Sequence, residues 1–395
     1  MQRRQFLATL GAGLLTVQLP GLAYAVAPAG YQRLLVLVEL KGGNDGLNTV
    51  IPYTSADYTR LRPTLAIARD QVLQLDEQRG LHPALAPLLP LWQGGQLAIV
   101  QGVGYPEPNL SHFRSIDIWD TASNSTQYLS SGWLTRLLQQ YPAGDTFASD
   151  GLILGSQTLG PLAGGARAVV LRDAADFARQ ARLAQAISGQ AGSSALAHVL
   201  KVEADIRRAA SDIGKQPAAQ QAMGNAQDPG RIPDAPGSFG RAVRTLLETL
   251  AGGSKVVVAR LTLTGFDTHA GQAGTQQRLL AELAEGLAAL QQGLAAQGRW
   301  DDTLVMSYAE FGRRPKENGN QGTDHGTVNS HVVLGGRVAG GFYGQAPQLA
   351  GVSDGNLPYA VDFRQLYATI CEHWWGKPAA GILGGHFRPL PLLRA

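Results

Sequence analysis

Short, uninterrupted apolar segments recur along the chain and are separated by longer, more polar stretches. The five clearest segments are residues 34–40, 97–100, 168–171, 256–263 and 303–308. Apolar runs of this length, without alternating polar residues, are typical of strands that are buried on both faces of a parallel sheet. The pattern therefore predicts strands of one mostly parallel sheet.

Between several of these segments, apolar residues repeat at intervals of three and four. The repeat is found in residues 81–91, 276–296 and 363–374. In the second of these stretches it is formed by Leu279, Leu280, Leu283, Leu287, Leu290 and Leu294. Such spacing predicts amphipathic helices. Because strands and helices alternate over most of the chain, we expect an α/β fold, a three-layer α/β/α sandwich around the sheet.

Residues 173–250 interrupt this alternation. The segment is rich in alanine and glutamine, and glycine, proline, asparagine and aspartate accumulate toward its end. We interpret it as a helical insertion that covers one edge of the sheet, with a flexible loop at about 214–240. The insertion would lie within one domain that spans residues 26–395.

The first 25 residues have the features of an export signal. The pair Arg3-Arg4 precedes a mild apolar stretch, and Ala23 and Ala25 supply small residues at the −3 and −1 positions of a cleavage site. This order is typical of a twin-arginine signal peptide, whose export machinery accepts folded proteins. We therefore expect residues 1–25 to be removed and the mature protein to be periplasmic or secreted.

Composition and charge exclude several classes of partner. Removal of the predicted signal takes away two arginines and no acidic residue, so the net charge falls from +3 to +1. A nearly neutral chain gives no reason to expect nucleic acid or a membrane surface as partner. No apolar run reaches the length of a membrane span. The single cysteine, Cys371, excludes an internal disulfide and thiolate metal sites, which leaves histidines and carboxylates as ligands.

Ligands of open α/β sheets bind beyond the carboxyl ends of the strands, so the loops after the predicted strands are the places to look for chemistry. After the first strand, the glycines at 42–43 turn the chain and bring Asp45 to the sheet edge. After the second, Ser111 precedes a predicted helix. A serine there is either an N-cap or a nucleophile beside free N–H groups that stabilise an attacked anion. His112 and Arg114 are placed to contact the same group.

Two further loops combine histidine with aspartate. Asp267 and His269 follow the fourth strand, and the adjacent Asp324 and His325 lie between glycines, with His331 six residues further on. Mixed imidazole and carboxylate ligands suit zinc, manganese, iron or magnesium better than soft copper sites. These loops predict a site for divalent metal ions.

Taken together, the motifs resemble the DUF1501 family of exported bacterial proteins, which belongs to the alkaline phosphatase/sulfatase-like superfamily. The resemblance extends from about residue 34 to 375. It is carried by KGGNDGLN at 41–48, LHP at 81–83, NLSHF at 109–113 with Trp119, GFDTH at 265–269, EFGR at 310–313 and TDHG at 323–326.

The resemblance implies an alkaline phosphatase-like fold and a hydrolase of small or polymeric anionic esters, either phosphates or sulfates. Asp45 would point toward the metals, and Ser111 would attack the phosphorus or sulfur. The other metal ligands would be Asp267 with His269 on one ion, Asp324 with His325 on the second, and His331. Two zinc, manganese or magnesium ions would then activate the serine and stabilise an in-line displacement. No role follows for Glu310 or Arg313.

Two other interpretations stay open at this stage. The chain is a non-catalytic exported binding or assembly protein if its metal-ligand groups lie too far apart to share ions about 4 Å apart. Alternatively, Ser111 works with a histidine and a carboxylate as a triad, in which case His112 is a poor base because adjacent side chains usually diverge. An aldehyde-type sulfatase is not expected, because the sequence after Ser111 lacks the proline of that motif.

Overall fold

The computed structural model describes residues 31–144, 146–147, 149–172, 232–352 and 355–394. The predicted signal peptide, most of the predicted insertion and its predicted flexible loop up to residue 231 lie outside these ranges.

Fourteen strands are found in the described residues. They are β1 (Leu34–Lys41), β2 (Val50–Ile51), β3 (Leu73–Gln74), β4 (Gly80–Leu81), β5 (Leu97–Gly104), β6 (Ser149–Leu154), β7 (Ala168–Val170), β8 (Val256–Thr264), β9 (Thr303–Tyr308), β10 (Gly312–Arg313), β11 (His325–Gly326), β12 (Asn329–Leu334), β13 (Gly341–Gly344) and β14 (Val361–Asp362). The five strands predicted from apolar runs are all present.

The α-helices in the described residues are α1 (Gly46–Thr49), α2 (Ala56–Leu61), α3 (Leu89–Gln93), α4 (His112–Thr121), α5 (Trp133–Gln140), α6 (Gly237–Ala251), α7 (Gln272–Ala296), α8 (Phe363–Ala368) and α9 (Ala380–Leu383). A π-helix, Thr369–Trp374, continues α8, and 3-10 helices cover Pro83–Leu88, Gly160–Leu162 and Trp300–Asp302. The three helices predicted from apolar spacing are therefore present, the first as a 3-10 turn followed by α3, and the helix predicted after Ser111 is α4.

The large sheet has the order β13-β5-β12-β9-β1-β8-β6-β7, and β14 also pairs with β5. Strand β12 runs antiparallel to both of its neighbours, β5 and β9. The other pairs of this sheet are parallel. Strands β1, β5, β8 and β9 consequently end at the same edge, which confirms the expected mostly parallel sheet.

Each face of the sheet is covered by helices. Along β1, Val36 and Val38 belong to the core shared with α6 and α7, whereas Leu35 and Leu37 belong to the core shared with α4, α5 and α8. This alternation follows from the two-residue period of a strand, which sends successive side chains to opposite faces. The result is the mixed α/β, three-layer arrangement that the sequence predicts.

Helix α6 is the described end of the predicted insertion. It packs on α7 and on β8, a strand in the interior of the sheet, and not along a sheet edge. The two helices approach closely because Gly286 and Gly293 of α7 face Phe239 and Leu247 of α6; a Cβ at Gly286 would lie 2.4 Å from the Phe239 ring. The helix begins at Gly237, a few residues before the end of the loop predicted at about 214–240. No helix among the described residues is both long and apolar enough to cross a membrane.

Candidate metal centre

Loops from four strands meet at the carboxyl edge of the sheet. The turn after β1, the loop between β5 and α4, the loop after β8 and the segment after β9 all lie there. The short antiparallel pair β10–β11 then brings residues 312–313 beside 325–326. The topology therefore unites residues that are more than 250 positions apart in the sequence.

Asp267 lies at the centre of a cluster of imidazole rings. Its Oδ1 atom is 3.0 Å from His269 Nε2 and 3.2 Å from His325 Nε2, and these two nitrogens are 3.0 Å apart. Its Oδ2 atom is 3.4 Å from His112 Nε2. Ligand atoms of His112, Asp267 and His325 all lie within 4.8 Å of one another. Four of the predicted site residues are thus brought together: His112, Asp267, His269 and His325. The spacing of only two positions between Asp267 and His269 does not prevent their side chains from meeting.

The hydrogen atoms of two of these rings are placed by their outer partners. His325 Nδ1 lies 2.8 Å from the carbonyl oxygen of Leu110, which can only accept, so this nitrogen carries the hydrogen. His269 Nδ1 lies 3.2 Å from Asp324 Oδ1. The Asn318 side chain also donates to this oxygen, which lowers the pKa of Asp324 and keeps it an ionised acceptor. In the neutral rings the inner Nε2 atoms therefore carry lone pairs.

Three electron-pair donors consequently face one another without a hydrogen between them: His269 Nε2, His325 Nε2 and Asp267 Oδ1. Donors this close repel each other unless a cation lies among them or a proton is shared. Around a tetrahedral ion with bonds of about 2.05 Å, donor atoms lie about 3.3 Å apart, close to the observed 3.0–3.2 Å. Outer acceptors on Nδ1 are also the usual supports of metal-bound histidines. The donor set therefore fits a divalent metal ion.

Arg313 fixes Asp267 and the loops around it. Its buried guanidinium donates to Asp267 Oδ1 at 2.7 Å and to the carbonyl oxygens of Gly42, Gly43, Phe266 and Thr323. These acceptors come from three separate loops, and together they occupy the rigid fork of donors that only arginine has.

The charge states of the cluster follow from its contacts. Burial by itself raises the pKa of Asp267, but the hydrogen bond from Arg313 and the positive charge of its guanidinium outweigh it and hold that pKa at about 2. Burial lowers the pKa of His325. At neutral pH Asp267 is therefore ionised and His325 is neutral, which are the forms that bind a cation.

Asp45 differs from expectation. It is fully buried, it accepts from the backbone N–H groups of Leu47 and Asn48 as the N-cap of α1, and it forms a salt bridge of 2.5 Å with Arg62. Gln272 donates to its Oδ2. With both oxygens occupied by N–H donors and paired to an arginine, Asp45 has a structural role and is not a metal ligand.

His331 and Arg114 also lie outside the cluster. His331 is on β12 in the core, with its ring 5.3 Å from that of Trp119, and neither ring nitrogen has a hydrogen-bond partner in the described part of the chain. Arg114 pairs with Asp117, donates to the carbonyl oxygen of Gln127 and stacks 4.0 Å from the Tyr128 ring centroid. Both side chains point away from the predicted site because packing and local acceptors hold them there.

Ser111 and Asp324 lie next to the cluster. Ser111 is the residue before α4, it is exposed, and its side chain makes no capping hydrogen bond. It lies between Leu110, whose carbonyl contacts His325, and His112. Asp324 supports His269 from outside and is not in the inner set. Glu310 and Arg313, for which the sequence predicts no role, contact His112 and Asp267 directly. The one sequence feature that could have indicated them is their position just after a predicted strand.

Solved structures similar to the chain have low sequence identity to it. The lipoteichoic acid synthase LtaP from Listeria monocytogenes is 10% identical with a TM-score of 0.38, over 91% of this chain and 76% of that one. The C-terminal periplasmic domain of EcEptC from Escherichia coli, in complex with Zn, is 9% identical with a TM-score of 0.36, over 77% and 72%. A mutant of TAB5 alkaline phosphatase with Mg bound is 10% identical with a TM-score of 0.33, over 80% and 94%.

No curated protein matches the sequence. The model of one family, described as "Protein of unknown function (DUF1501)", matches residues 95–376, which is more than half of the chain. The matched region includes the clustered residues from His112 to His325 and the outer partners of their side chains. The protein belongs to the DUF1501 family.

Proposed function

We propose that the protein is an exported, divalent-metal-dependent hydrolase of phosphate or sulfate esters, with Ser111 as the nucleophile. One observation carries this proposal: three electron-pair donors converge on the same point next to an exposed serine at the start of a helix. The site would therefore combine the two parts of the proposed reaction, a cation site and a nucleophile.

The residues that would hold the ion are Asp267, His269, His325 and His112, whose Nε2 atom lies 3.4 Å from the second oxygen of Asp267. A set with three imidazoles favours zinc over magnesium and manganese, which are better suited by oxygen ligands. A bound ion of this kind polarises an ester oxygen as a Lewis acid. The geometry supports one shared ion around Asp267, because Asp45 is paired with Arg62 and the His331 ring is buried in the core beside Trp119.

The chain itself would bind and orient the ester. Helix α4 begins at His112, so its free N–H groups and positive dipole end lie beside Ser111 and favour an anionic group there. The Ser111 hydroxyl, which makes no capping hydrogen bond, is available for attack. Since Arg313 neutralises Asp267 from behind, the anion does not meet an uncompensated carboxylate.

Export is proposed from the twin-arginine segment at Arg3-Arg4. The mature protein would be periplasmic or secreted, and the twin-arginine export machinery would be its partner during export. Replacement of both arginines by lysine should keep the full-length chain in the cytoplasm, as measured by cell fractionation.

The test begins with the purified mature chain. Its content of zinc and manganese is measured by mass spectrometry, and hydrolysis of aryl phosphate and aryl sulfate is assayed with each ion added. We expect about one ion per chain and activity with at least one of the two esters. Ser111→Ala should keep the ion but lose more than about 99% of activity, because it removes the attacking hydroxyl. A hundredfold loss corresponds to about 2.7 kcal/mol of barrier.

The controls separate the possible failures. His386→Gln changes an exposed histidine outside the cluster and should alter neither ion content nor activity. A chain that binds the ion but hydrolyses neither ester would support the alternative, an exported binding or assembly protein. A chain that binds neither zinc nor manganese would contradict the proposal.

A further inference from the structure

Glu310 is a buried carboxylate behind His112. Its side chain is only 3% exposed, and its Oε1 atom lies 2.8 Å from His112 Nδ1. The same oxygen accepts the backbone N–H of Gly42 at 2.9 Å. Glu310 therefore links a ring of the cluster to the turn that follows β1.

This contact determines which nitrogen of His112 faces the cluster. Because an ionised carboxylate can only accept, as Oε1 does from Gly42, the His112 Nδ1 atom is the donor, and the lone pair of the neutral ring is on Nε2. Nε2 is the atom that lies 3.4 Å from Asp267 Oδ2. The ring is further held between Phe311 and His325, at centroid distances of 4.9 and 4.5 Å.

We propose that Glu310 is a positioning residue that orients His112 as a metal ligand and prevents it from serving as a base for Ser111. This inference rests on the proposed function. In a triad, the histidine nitrogen opposite the carboxylate faces the serine, whereas here it faces Asp267. Glu310 touches neither the proposed substrate nor the ion, so it acts through the residues that it contacts.

Glu310 also supports the other side of the cluster. Gly42, whose N–H it accepts, has a φ of +116°, and a Cβ at this position would lie 2.4 Å from the backbone nitrogen of Asp267. The turn after β1 is therefore packed directly against the backbone of Asp267. Loss of the Glu310 carboxylate should loosen both His112 and this contact.

The test compares Glu310→Ala with the conservative Glu310→Gln. Co(II) is titrated into the metal-free chain, and its visible absorption reports both affinity and coordination. Removal of an outer partner of a metal-bound histidine typically costs about 10–100-fold in metal affinity. We expect a loss of this size with a changed spectrum in Glu310→Ala, and a loss of less than about threefold in Glu310→Gln, whose side-chain oxygen still accepts.

Glu317→Ala is the matched control. This carboxylate also accepts backbone N–H groups, those of Thr64 and Leu65, but contacts no ring of the cluster. It should reduce stability without changing the Co(II) spectrum. A Glu310→Ala chain with wild-type Co(II) affinity and spectrum would overturn the inference while the proposed function stands.

A second measurement does not depend on metal. Nitrogen-15 NMR of the histidine rings distinguishes hydrogen on Nδ1 from hydrogen on Nε2 in the metal-free protein. We expect the His112 signal, assigned by its loss in His112→Gln, to show Nδ1–H in the wild type and in Glu310→Gln. Hydrogen on Nε2 in the wild type would overturn the inference. If the wild-type chain binds no metal, the proposed function fails, and this signal alone decides whether Glu310 orients the ring.

Discussion

Two aspartates at the same edge of the sheet have opposite surroundings. Asp45 has a fully buried side chain and is surrounded by N–H donors from Arg62, Gln272 and the first turn of α1. Asp267 has a side chain that is 48% exposed, receives one arginine, and otherwise faces the lone-pair nitrogens of imidazole rings.

The difference shows what makes a carboxylate available to a metal ion. A carboxylate whose oxygens are filled by hydrogen-bond donors is already neutralised, and removal of those donors leaves a buried charge. A carboxylate that faces other electron-pair donors is not satisfied by them and attracts a cation. Position after a strand is common to both residues, so the partners alone distinguish them.

The largest expected effect concerns the Asp45 region. Arg62→Ala leaves the buried Asp45 carboxylate without its partner and should lower the free energy of unfolding by about 3–5 kcal/mol. Urea unfolding of the metal-free chain measures this loss. Metal affinity of the folded fraction should stay unchanged, and a loss below about 1 kcal/mol would show that the pair is not structural.

A smaller effect on stability but a specific effect on binding is expected at Asp267. Asp267→Asn keeps an acceptor for Arg313 but removes the central charge, so affinity for zinc should fall by more than about 100-fold, beyond the usual cost of losing an outer partner. Because Asp267 is half exposed, unfolding of the metal-free chain should change by less than about 1 kcal/mol. Isothermal titration of zinc and urea unfolding give the two numbers, and equal zinc affinity in wild type and variant would contradict the comparison.

The smallest effect is expected at His331, the histidine that was predicted as a metal ligand but lies in the core. Burial lowers its pKa to about 3 from the ordinary 6.5. Between these pH values the unfolded chain binds more protons, so His331 destabilises the fold as the pH falls from 6.5 toward 3. His331→Leu should remove this component and raise stability at pH 5 by about 1–3 kcal/mol, since two unpartnered buried nitrogens are also removed.

Unfolding of His331→Leu is best followed from pH 7 to pH 3.5 by circular dichroism. The gain over the wild type should increase toward acid, whereas His386→Gln should follow the wild type. A gain that is constant with pH would show that His331 does not titrate in this range.

The sequence was most informative where one residue type dominates a segment. The apolar runs of β1, β5, β8 and β9 identify these strands because burial on both faces leaves few polar positions. Strand β7 is half-buried at the edge of the sheet, and its run is also apolar. Strands β6 and β12 were not predicted, because each begins with two polar residues, Ser149-Asp150 and Asn329-Ser330. For these strands, pairing with neighbours outweighs local composition.

The site residues could be predicted only in part for a related reason. The Asp267-x-His269 and Asp324-His325 pairs are visible in the sequence because aspartate and histidine stand together beside glycines in loops that follow predicted strands. Their division into inner donors and outer supports is not visible, since it depends on contacts between loops. Arg62, the residue after α2, forms a salt bridge with Asp45, and Glu310 contacts His112 across 198 positions of the chain. Neither contact can be recognised from the neighbouring sequence.

By itself, the sequence determined the positions of the most apolar strands and of the amphipathic helices, the restriction of candidate metal ligands to histidine and carboxylate, and the loops in which those candidates lie. These properties depend on local burial and on residue chemistry. The tertiary structure alone decided which of the candidate ligands converge, which hydrogen each imidazole carries, and which carboxylate is already satisfied. Those properties depend on distances of about 3 Å between side chains from separate loops, which the topology of the sheet sets and which no spacing along the chain encodes.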